Sequence, residues 1–191
     1  MLSGSYVKAG DSGLHRVQAG DVLFHCAHER HLDRMHTAGA EVLVLPLSND
    51  WDGASHARVR DADAIAQLAE RDVPAAVARL LDDALPVAQT AGDWPEQLAT
   101  AMLADPSLSL AHWARSHGLH PGSVSRGFQQ IFSVSPRTFR LQARTLAALK
   151  LYRGTSLAAS AIAHLCGFAD QAHLSRSVTA LTGATASRLR S

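Results

Sequence analysis

Apolar residues change their spacing along this chain, and the change predicts two kinds of structure. Residues 17–24 and 40–45 are short runs rich in β-formers and bounded by Gly, Asp or Pro, so they predict strands and a β-rich region over residues 1–47. From Asp61 onward the apolar residues recur at helical spacing. Helices are predicted to begin near Asp61, Asp72 and Asp93, and residues 61–104 are predicted to form a helical linker that packs on the β region or pairs two subunits.

The region from Leu108 to Arg190 contains one helical pattern twice. In the first copy, Ser109-Leu110-Ala111 leads through Gly118 to Val124-Ser125-Arg126-Gly127-Phe128; in the second, Ser156-Leu157-Ala158 leads through Gly167 to Leu174-Ser175-Arg176-Ser177-Val178. Each copy predicts a helix, a glycine-marked turn and a second helix, which is the helix-turn-helix arrangement. The second helix of such a motif is the one that enters the major groove of DNA.

A long helix is predicted to connect the two copies, from Ser135-Pro136 to Tyr152. At about 1.5 Å per residue it would be roughly 25 Å long. That length is of the order needed to hold two recognition helices in successive major grooves, about 34 Å apart. Arginines on this helix are expected to touch phosphates or pack locally, and not to contact base edges.

Charge divides the chain at about the same place as the hydrophobic pattern. Residues 1–104 carry 8 Lys/Arg and 15 Asp/Glu, a net charge of −7, whereas residues 105–191 carry 10 Lys/Arg and 2 Asp/Glu, a net charge of +8. A basic half with its charge spread over predicted helices is typical of a phosphate-binding surface. No run of apolar residues is long enough to cross a bilayer, and no secretory signal is visible, which predicts a cytoplasmic protein.

Polar residues on the second helix of each copy are the candidates for contact with DNA. Arg can donate to guanine, Gln can pair with adenine, and Ser can contact a base or a phosphate. The competing interpretation is that these side chains only solvate an exposed helix face, but the matching arginines of the two copies favour DNA contact. The candidates are Ser123, Ser125, Arg126, Gln129, Gln171, His173, Ser175 and Arg176.

Residues 108–190 resemble the DNA-binding domain of the AraC family of bacterial transcription regulators. The resemblance depends on Ser125-Arg126-Gly127-Phe128, Ser135-Pro136 with Phe139, Ile162-Ala163, the segment from Gly167 to Arg176, and Gly183-Ala184-Thr185. It implies base contacts at positions matching Gly122, Ser125, Arg126, Gln171, His173, Ser175 and Arg176; Gly122 has no side chain to contribute. This chain departs from the family with Val178 where Phe is common, and with Ala186 and Leu189 before Arg190. These smaller core residues predict a less stable second motif.

Residues 25–36 contain the densest set of ligand-capable side chains, and His25, His28 and His31 are the candidate metal ligands. In an extended segment these side chains point in different directions, so a solvated or hydrogen-bonded loop is favoured over a metal site. The spacing from Gly20 to His31 partly resembles the second motif of cupin barrels, with Cys26 and His28 in place of that motif's Pro and Gly. The first cupin motif would lie upstream of Ser3, so the segment resembles the later part of a cupin.

These observations predict an α+β protein with three parts: a partial cupin-like sensor over residues 1–60, a helical linker or dimerisation region over 61–104, and an AraC-type DNA-binding domain over 105–191. The expected function is sequence-specific regulation of transcription, with control by a ligand at the N-terminal part; no enzymatic activity and no cofactor are predicted. The alternatives are a metal-binding cupin-type enzyme with an accessory DNA-binding tail, and a truncated regulator that senses nothing. Double-stranded DNA is the expected partner, and a small-molecule effector, RNA polymerase and a second copy of the chain are further candidates.

Overall fold

A computed structural model describes residues 1–47, 53–88, 92–105, 107–185 and 188 of the chain. The chain forms two compact units, Met1–Thr90 and Ala91–Ser191. Strands lie in the first unit and the six helices that follow residue 92 lie in the second, so the predicted α+β class is confirmed. In the described part of the chain, no helix is both long and apolar enough to span a membrane.

Two small antiparallel sheets form the β part of the first unit. The first sheet has the order β2-β1-β4, and the second has the order β3-β5-β6. Their strands are β1 (Ser3–Gly10), β2 (Gly13–Gln18), β3 (Asp21–Leu23), β4 (His31–Glu41), β5 (His56–Arg58) and β6 (Leu85–Pro86).

The predicted strand positions were only partly right. The strand predicted over residues 17–24 is broken, because Gly20 adopts a φ of 85° and the chain turns there between β2 and β3. In place of the strand predicted over residues 40–45, the structure has β4, which ends at Glu41. This strand begins at His31, inside the segment predicted as a loop. This largely exposed strand is held by antiparallel pairing with β1, in which Ser3 lies opposite Glu41 and Gly10 opposite His31. Apolar Leu43 and Leu45 instead pack beside the helices as irregular chain.

Two capped helices complete the first unit, α1 (Ala62–Ala69) and α2 (Val73–Asp83). The carboxylates of Asp61 and Asp72 accept hydrogen bonds from the amides of the third residue beyond, each at 2.9 Å, so each aspartate satisfies a free N–H of the first turn. Both helices begin where they were predicted to begin. A small apolar core of Val59, Ile65 and Ala76 lies between these helices and the chain beside them.

In its described residues, the second unit has six helices: α3 (Trp94–Ala104), α4 (Leu110–Ser116), α5 (Pro121–Phe132), α6 (Pro136–Gly154), α7 (Ala159–Leu165) and α8 (Gln171–Thr182). The region predicted as one linker over residues 61–104 contributes α1 and α2 to the first unit and α3 to the second. The proposed three-part division into residues 1–60, 61–104 and 105–191 stays a prediction.

Candidate nucleic-acid interface

The two helix-turn-helix motifs, α4–α5 and α7–α8, have turns of the same construction. Gly118 and Gly167 follow the first helix of each motif with φ values of 66° and 72°, a conformation that an L side chain rarely adopts. After each glycine the chain returns a hydrogen bond to the helix, from Leu119 N–H to the Ala114 carbonyl at 2.8 Å and from Phe168 N–H to the Ala163 carbonyl at 2.9 Å. These are the 6→1 bonds of a Schellman cap, and they fix the angle at which α5 and α8 depart.

A side chain caps the start of each second helix. At α5 the ring Nδ1 of His120 accepts from the Gly122 amide at 3.2 Å, and Pro121 occupies the first turn, where no N–H is needed. At α8 a carboxylate oxygen of Asp170 accepts from the His173 amide at 2.7 Å. Each helix therefore begins at a defined residue, which places its first turns in a fixed position relative to the core.

The same order of burial runs along both second helices. Residues 124–128 and 174–178 are in turn buried, half-buried, exposed, half-buried and buried. Val124 and Phe128 in α5, and Leu174 and Val178 in α8, are fully buried. At about 100° per residue, the residue between the two buried positions points away from the core. That residue is an arginine in both copies, Arg126 and Arg176.

The other predicted contact residues surround these two arginines. Ser125 and Ser175 are half-buried on one flank at matching positions, and Ser123 and His173 match on the other flank. The ring of His173 packs edge-on against Phe168 with centroids 5.2 Å apart, which limits its rotation. Gln129 is exposed one turn beyond Arg126, and Gln171 is exposed at the first position of α8. All eight predicted residues therefore lie on α5 or α8 and reach the surface, with DNA contact itself still a prediction.

The connecting helix α6 attaches to both motifs through two arginines. Arg140 donates to the carbonyl of Leu108, just before the first motif, at 2.7 Å, and Arg144 donates to the carbonyl of Gly167, in the turn of the second motif, at 3.1 Å. Burial, followed by the nearby charge of Arg144, lowers the pKa of Arg140. Of the two roles expected for these arginines, the structure shows local packing for Arg140 and Arg144. Arg137 and Lys150 of the same helix are exposed.

The core of the second unit differs between its two motifs. Beside α5, the rings of Phe128, Phe132 and Phe139 contact each other with centroids 4.4 to 5.4 Å apart. Beside α8 the buried cluster is mainly aliphatic, and Val178 is part of it. The departures at Ala186 and Leu189 lie outside the described residues, and the lower stability of the second motif stays a prediction.

The sequence did not reveal that α3 belongs to this unit. The ring of Trp94, at the start of α3, lies against Gly127 in the middle of α5, and a Cβ atom on that glycine would be 2.6 Å from Cζ2 of the ring. Leu98 and Met102 of α3 are fully buried. Their apolar spacing was visible in the sequence, but spacing does not identify the helix that they contact.

The candidate metal ligands of the first unit are only partly brought together. Among the described residues, one group of side chains could hold a metal ion. It consists of His25, Glu29 and His31, and His28 is not part of it. His28 lies in the intervening turn with a φ of 68°. The expectation of a solvated or hydrogen-bonded loop over residues 25–36 was only partly right. Residues 25–30 are irregular chain and turn, but β4 starts at His31, and the turn before it brings His31 back toward His25.

Comparison with known proteins supports the assignment of the second unit. A family model described as a helix-turn-helix domain matches residues 113–191. This match bears out the predictions of an AraC-type DNA-binding domain and of a DNA-binding transcription regulator. No curated protein sequence matches the chain.

Similar solved structures include the C-terminal domain of AraT, a response regulator from Geobacillus stearothermophilus. The two sequences are 19% identical, the match covers 53% of this chain and 87% of the AraT domain, and the TM-score is 0.49. The DNA-binding domain of AdpA in complex with a target DNA has 17% identity, coverage of 52% and 91%, and a TM-score of 0.48. ToxT from Vibrio cholerae, solved with an unsaturated fatty acid bound, has 11% identity, coverage of 98% and 83%, and a TM-score of 0.48. At these scores the likenesses carry no functional argument.

Proposed function

We propose that this chain, a DNA-binding transcription regulator with an AraC-type helix-turn-helix domain in its C-terminal part, recognises two blocks of DNA sequence through α5 and α8. The observation that carries the proposal is the repeated surface of these helices, on which Arg126 and Arg176 occupy the same exposed position between two fully buried residues. A helix that only solvates its outer face has no need to place the same cation at the same position twice.

Each side chain has a defined task in this proposal. Arg126 and Arg176 donate to guanine O6 and N7, which is the commonest specific contact in the major groove. Ser125 and Ser175 contact a base or a phosphate beside the arginine, and Ser123 and His173 contact the opposite flank. Gln129 and Gln171 extend the surface along α5 and at the start of α8, where Gln can pair with adenine.

The connecting helix supports simultaneous binding of two grooves by one chain. It contains 19 residues, which corresponds to about 28 Å at 1.5 Å per residue. Successive major grooves on one face of DNA are about 34 Å apart. No Asp or Glu occurs in α5, α6 or α8, so within these helices no carboxylate opposes the approach of phosphate.

Selection of bound sequences from a random DNA pool by the purified full-length protein tests the proposal. We expect enrichment of two short blocks about one helical turn apart. Arg126→Ala should relax the preference in one block and Arg176→Ala in the other, each with a loss of about 1–3 kcal/mol in binding free energy. Arg71→Ala, at an exposed arginine of the first unit, removes the same charge and should change neither block.

Two results would contradict this function. If folded protein enriches no sequence, with or without cell extract to supply an effector, sequence-specific binding is wrong. If both arginine variants select the same two blocks as the original protein with unchanged affinity, α5 and α8 are not the recognition helices.

We further propose that the first unit controls DNA binding in response to a small molecule, and that the protein acts in the cytoplasm as a regulator and not as an enzyme. In support, a cavity of about 260 Å³ in that unit is lined by polar and apolar groups that include Tyr6, Asp21, Phe24 and His25. Sites for small molecules are typically about 300–1,000 Å³, so a compact effector is the class that fits. RNA polymerase and a second copy of the chain are the further partners of this proposal.

A further inference from the structure

A tight turn in the first unit gathers three side chains of types that can ligate a metal ion and that the DNA-binding function does not use. The amide of Glu29 donates to the carbonyl of Cys26 at 3.1 Å, and His28 adopts a φ of 68°, which is unusual for a residue with a side chain. The turn brings the rings of His25 and His31 together with centroids 4.7 Å apart. Strained backbone of this kind is concentrated at ligand-binding and other functional sites.

We propose that His25, Glu29 and His31 bind a divalent first-row transition metal ion. Each residue offers one ligand atom, and the three atoms all lie within 4.8 Å of one another. Atoms bound to one such ion at about 2.0–2.2 Å are separated by up to about 4 Å, so small side-chain rotations suffice to close the site.

Glu29 is already held in position by its neighbours. Its Oε1 accepts hydrogen bonds from Lys8 Nζ at 2.5 Å and from Ser12 Oγ at 2.7 Å. Its Oε2 accepts from the Cys26 amide at 3.2 Å and lies 3.8 Å from Nδ1 of His25. Oε2 therefore keeps a lone pair on the side of the histidines, and the surrounding contacts fix its direction.

His31 is positioned by the backbone and by a second carboxylate. It pairs with Gly10 across β1 and β4, and a Cβ atom on Gly10 would lie 2.7 Å from Cβ of His31, so the glycine makes room for the histidine. Asp33 Oδ2 lies 3.6 Å from Nε2 of His31. A carboxylate beside a ligating imidazole orients the ring and leaves the other nitrogen for the metal.

The charges around the three side chains are nearly balanced. Lys8 is fully buried, and its positive charge is paired with Glu29, while Asp33 adds a negative charge beside His31. Lys8 Nζ also lies 3.3 Å from Nδ1 of His25, so the same buried ammonium fixes the positions of two of the three proposed ligands.

The donor set selects the class of ion. Two imidazoles and one carboxylate suit Zn²⁺, Co²⁺, Ni²⁺ or Fe²⁺, whereas Mg²⁺ and Ca²⁺ prefer oxygen ligands alone. Three protein ligands leave at least one coordination position for water or another small ligand, as in metal sites that are not purely structural.

Titration of metal-free, untagged full-length protein with Co²⁺ and Zn²⁺ tests the site, by calorimetry for both ions and by the visible absorption of bound Co²⁺. We expect one ion per chain. His31→Ala and Glu29→Gln should each weaken binding at least about tenfold. His36→Ala is the matched control on the same strand, and His28→Asn removes the imidazole while keeping a residue that tolerates positive φ; both should bind as the original protein does.

Folding and binding are separated by circular dichroism of each variant. Glu29→Gln leaves Lys8 without its buried partner, so His31→Ala, which leaves that ion pair intact, decides the outcome if the Glu29 variant unfolds. Absence of binding by folded original protein, or full binding by folded His31→Ala protein, would overturn the proposal. An equal loss in His36→Ala or His28→Asn would also overturn it, because those residues lie outside the proposed ligand set.

Discussion

Gly127 is predicted to be required for the attachment of α3 to α5. A methyl group at this position would lie 2.6 Å from Cζ2 and 2.8 Å from Cη2 of Trp94. Carbon atoms in favourable contact are about 3.5–4.0 Å apart, so Gly127→Ala requires the ring to move by about 1 Å. Trp94 directly precedes Pro95, which is buried like Leu98, so the packed backbone at the start of α3 restricts how far the ring can move.

Two opposing effects decide the size of the change. Alanine in place of glycine inside a helix stabilises that helix by about 1 kcal/mol. Forcing an extra methyl group into a packed contact costs about 1–3 kcal/mol. Because both ring atoms approach closely and the following turn of α3 is buried, we expect the packing cost to exceed the helix gain, with a net loss of about 1 kcal/mol in the free energy of unfolding. For a domain of about 100 residues this lowers the melting temperature by about 4–8 °C.

Thermal and urea unfolding of the full-length protein, followed by tryptophan fluorescence and by circular dichroism, measures the effect. Gly154→Ala is the matched control, since a Cβ atom at Gly154, the last residue of α6, meets nothing within 4 Å. Combining Gly127→Ala with Trp94→Ala removes the clash, so the extra methyl should then cost nothing. If Gly127→Ala alone is as stable as the original protein or more stable, the close packing of Trp94 on α5 is refuted.

Two further predictions follow from the positions of single charged groups. Arg144→Ala should destabilise the second motif by about 1 kcal/mol through loss of its hydrogen bond to the turn, and should weaken DNA binding without changing its salt dependence. Arg137→Ala should instead remove a phosphate contact, because Arg137 is exposed, and should reduce the slope of log K against log salt by about 1. Equal slope changes in the two alanine variants would exclude these separate roles for Arg144 and Arg137. Burial, followed by the charges of Lys8 and His56, lowers the pKa of His15 from 6.5 to about 4. Between pH 6.5 and 4 the unfolded chain therefore binds a proton that the folded chain does not. The free energy of unfolding should fall as the pH drops from 6.5 toward 4, by up to about 3 kcal/mol. Urea unfolding between pH 7.5 and 4.5 measures this loss, and His15→Gln should reduce it; an unchanged acid dependence in that variant would contradict the assignment.

The second unit was largely predictable because its signals are local. Apolar spacing, Pro121 and Pro136 near helix starts, and glycines in the two turns lie within a few residues of the structure that they determine. Duplication adds to this, since two copies of one pattern give two independent indications of the same motif. The eight candidate contact residues were placed on the correct helices for the same reason.

The first unit was less predictable because strand pairing is not local. The exposed residues of β4 show no apolar alternation, and only their pairing with β1, about 30 positions earlier in the chain, makes them a strand. The same pairing places His31 near His25, which extended-chain geometry did not predict. Glu29, the third ligand of the proposed metal site, was not a candidate because its position depends on the His28 turn and on buried Lys8, neither of which has a distinctive sequence pattern.

The structure also indicates why α6 is more than a spacer between the motifs. Arg140 and Arg144 are one helical turn apart on α6, yet Arg140 donates to the carbonyl of Leu108, just before the first motif, and Arg144 to that of Gly167, in the turn of the second. Neither carbonyl has a sequence feature that identifies its partner. Because both bonds originate from neighbouring turns of one continuous helix, the start of the first motif and the turn of the second are attached to the same rigid element. Their separation is consequently set within a single chain, so the proposed recognition of two blocks of DNA does not require a second copy to fix the distance between them.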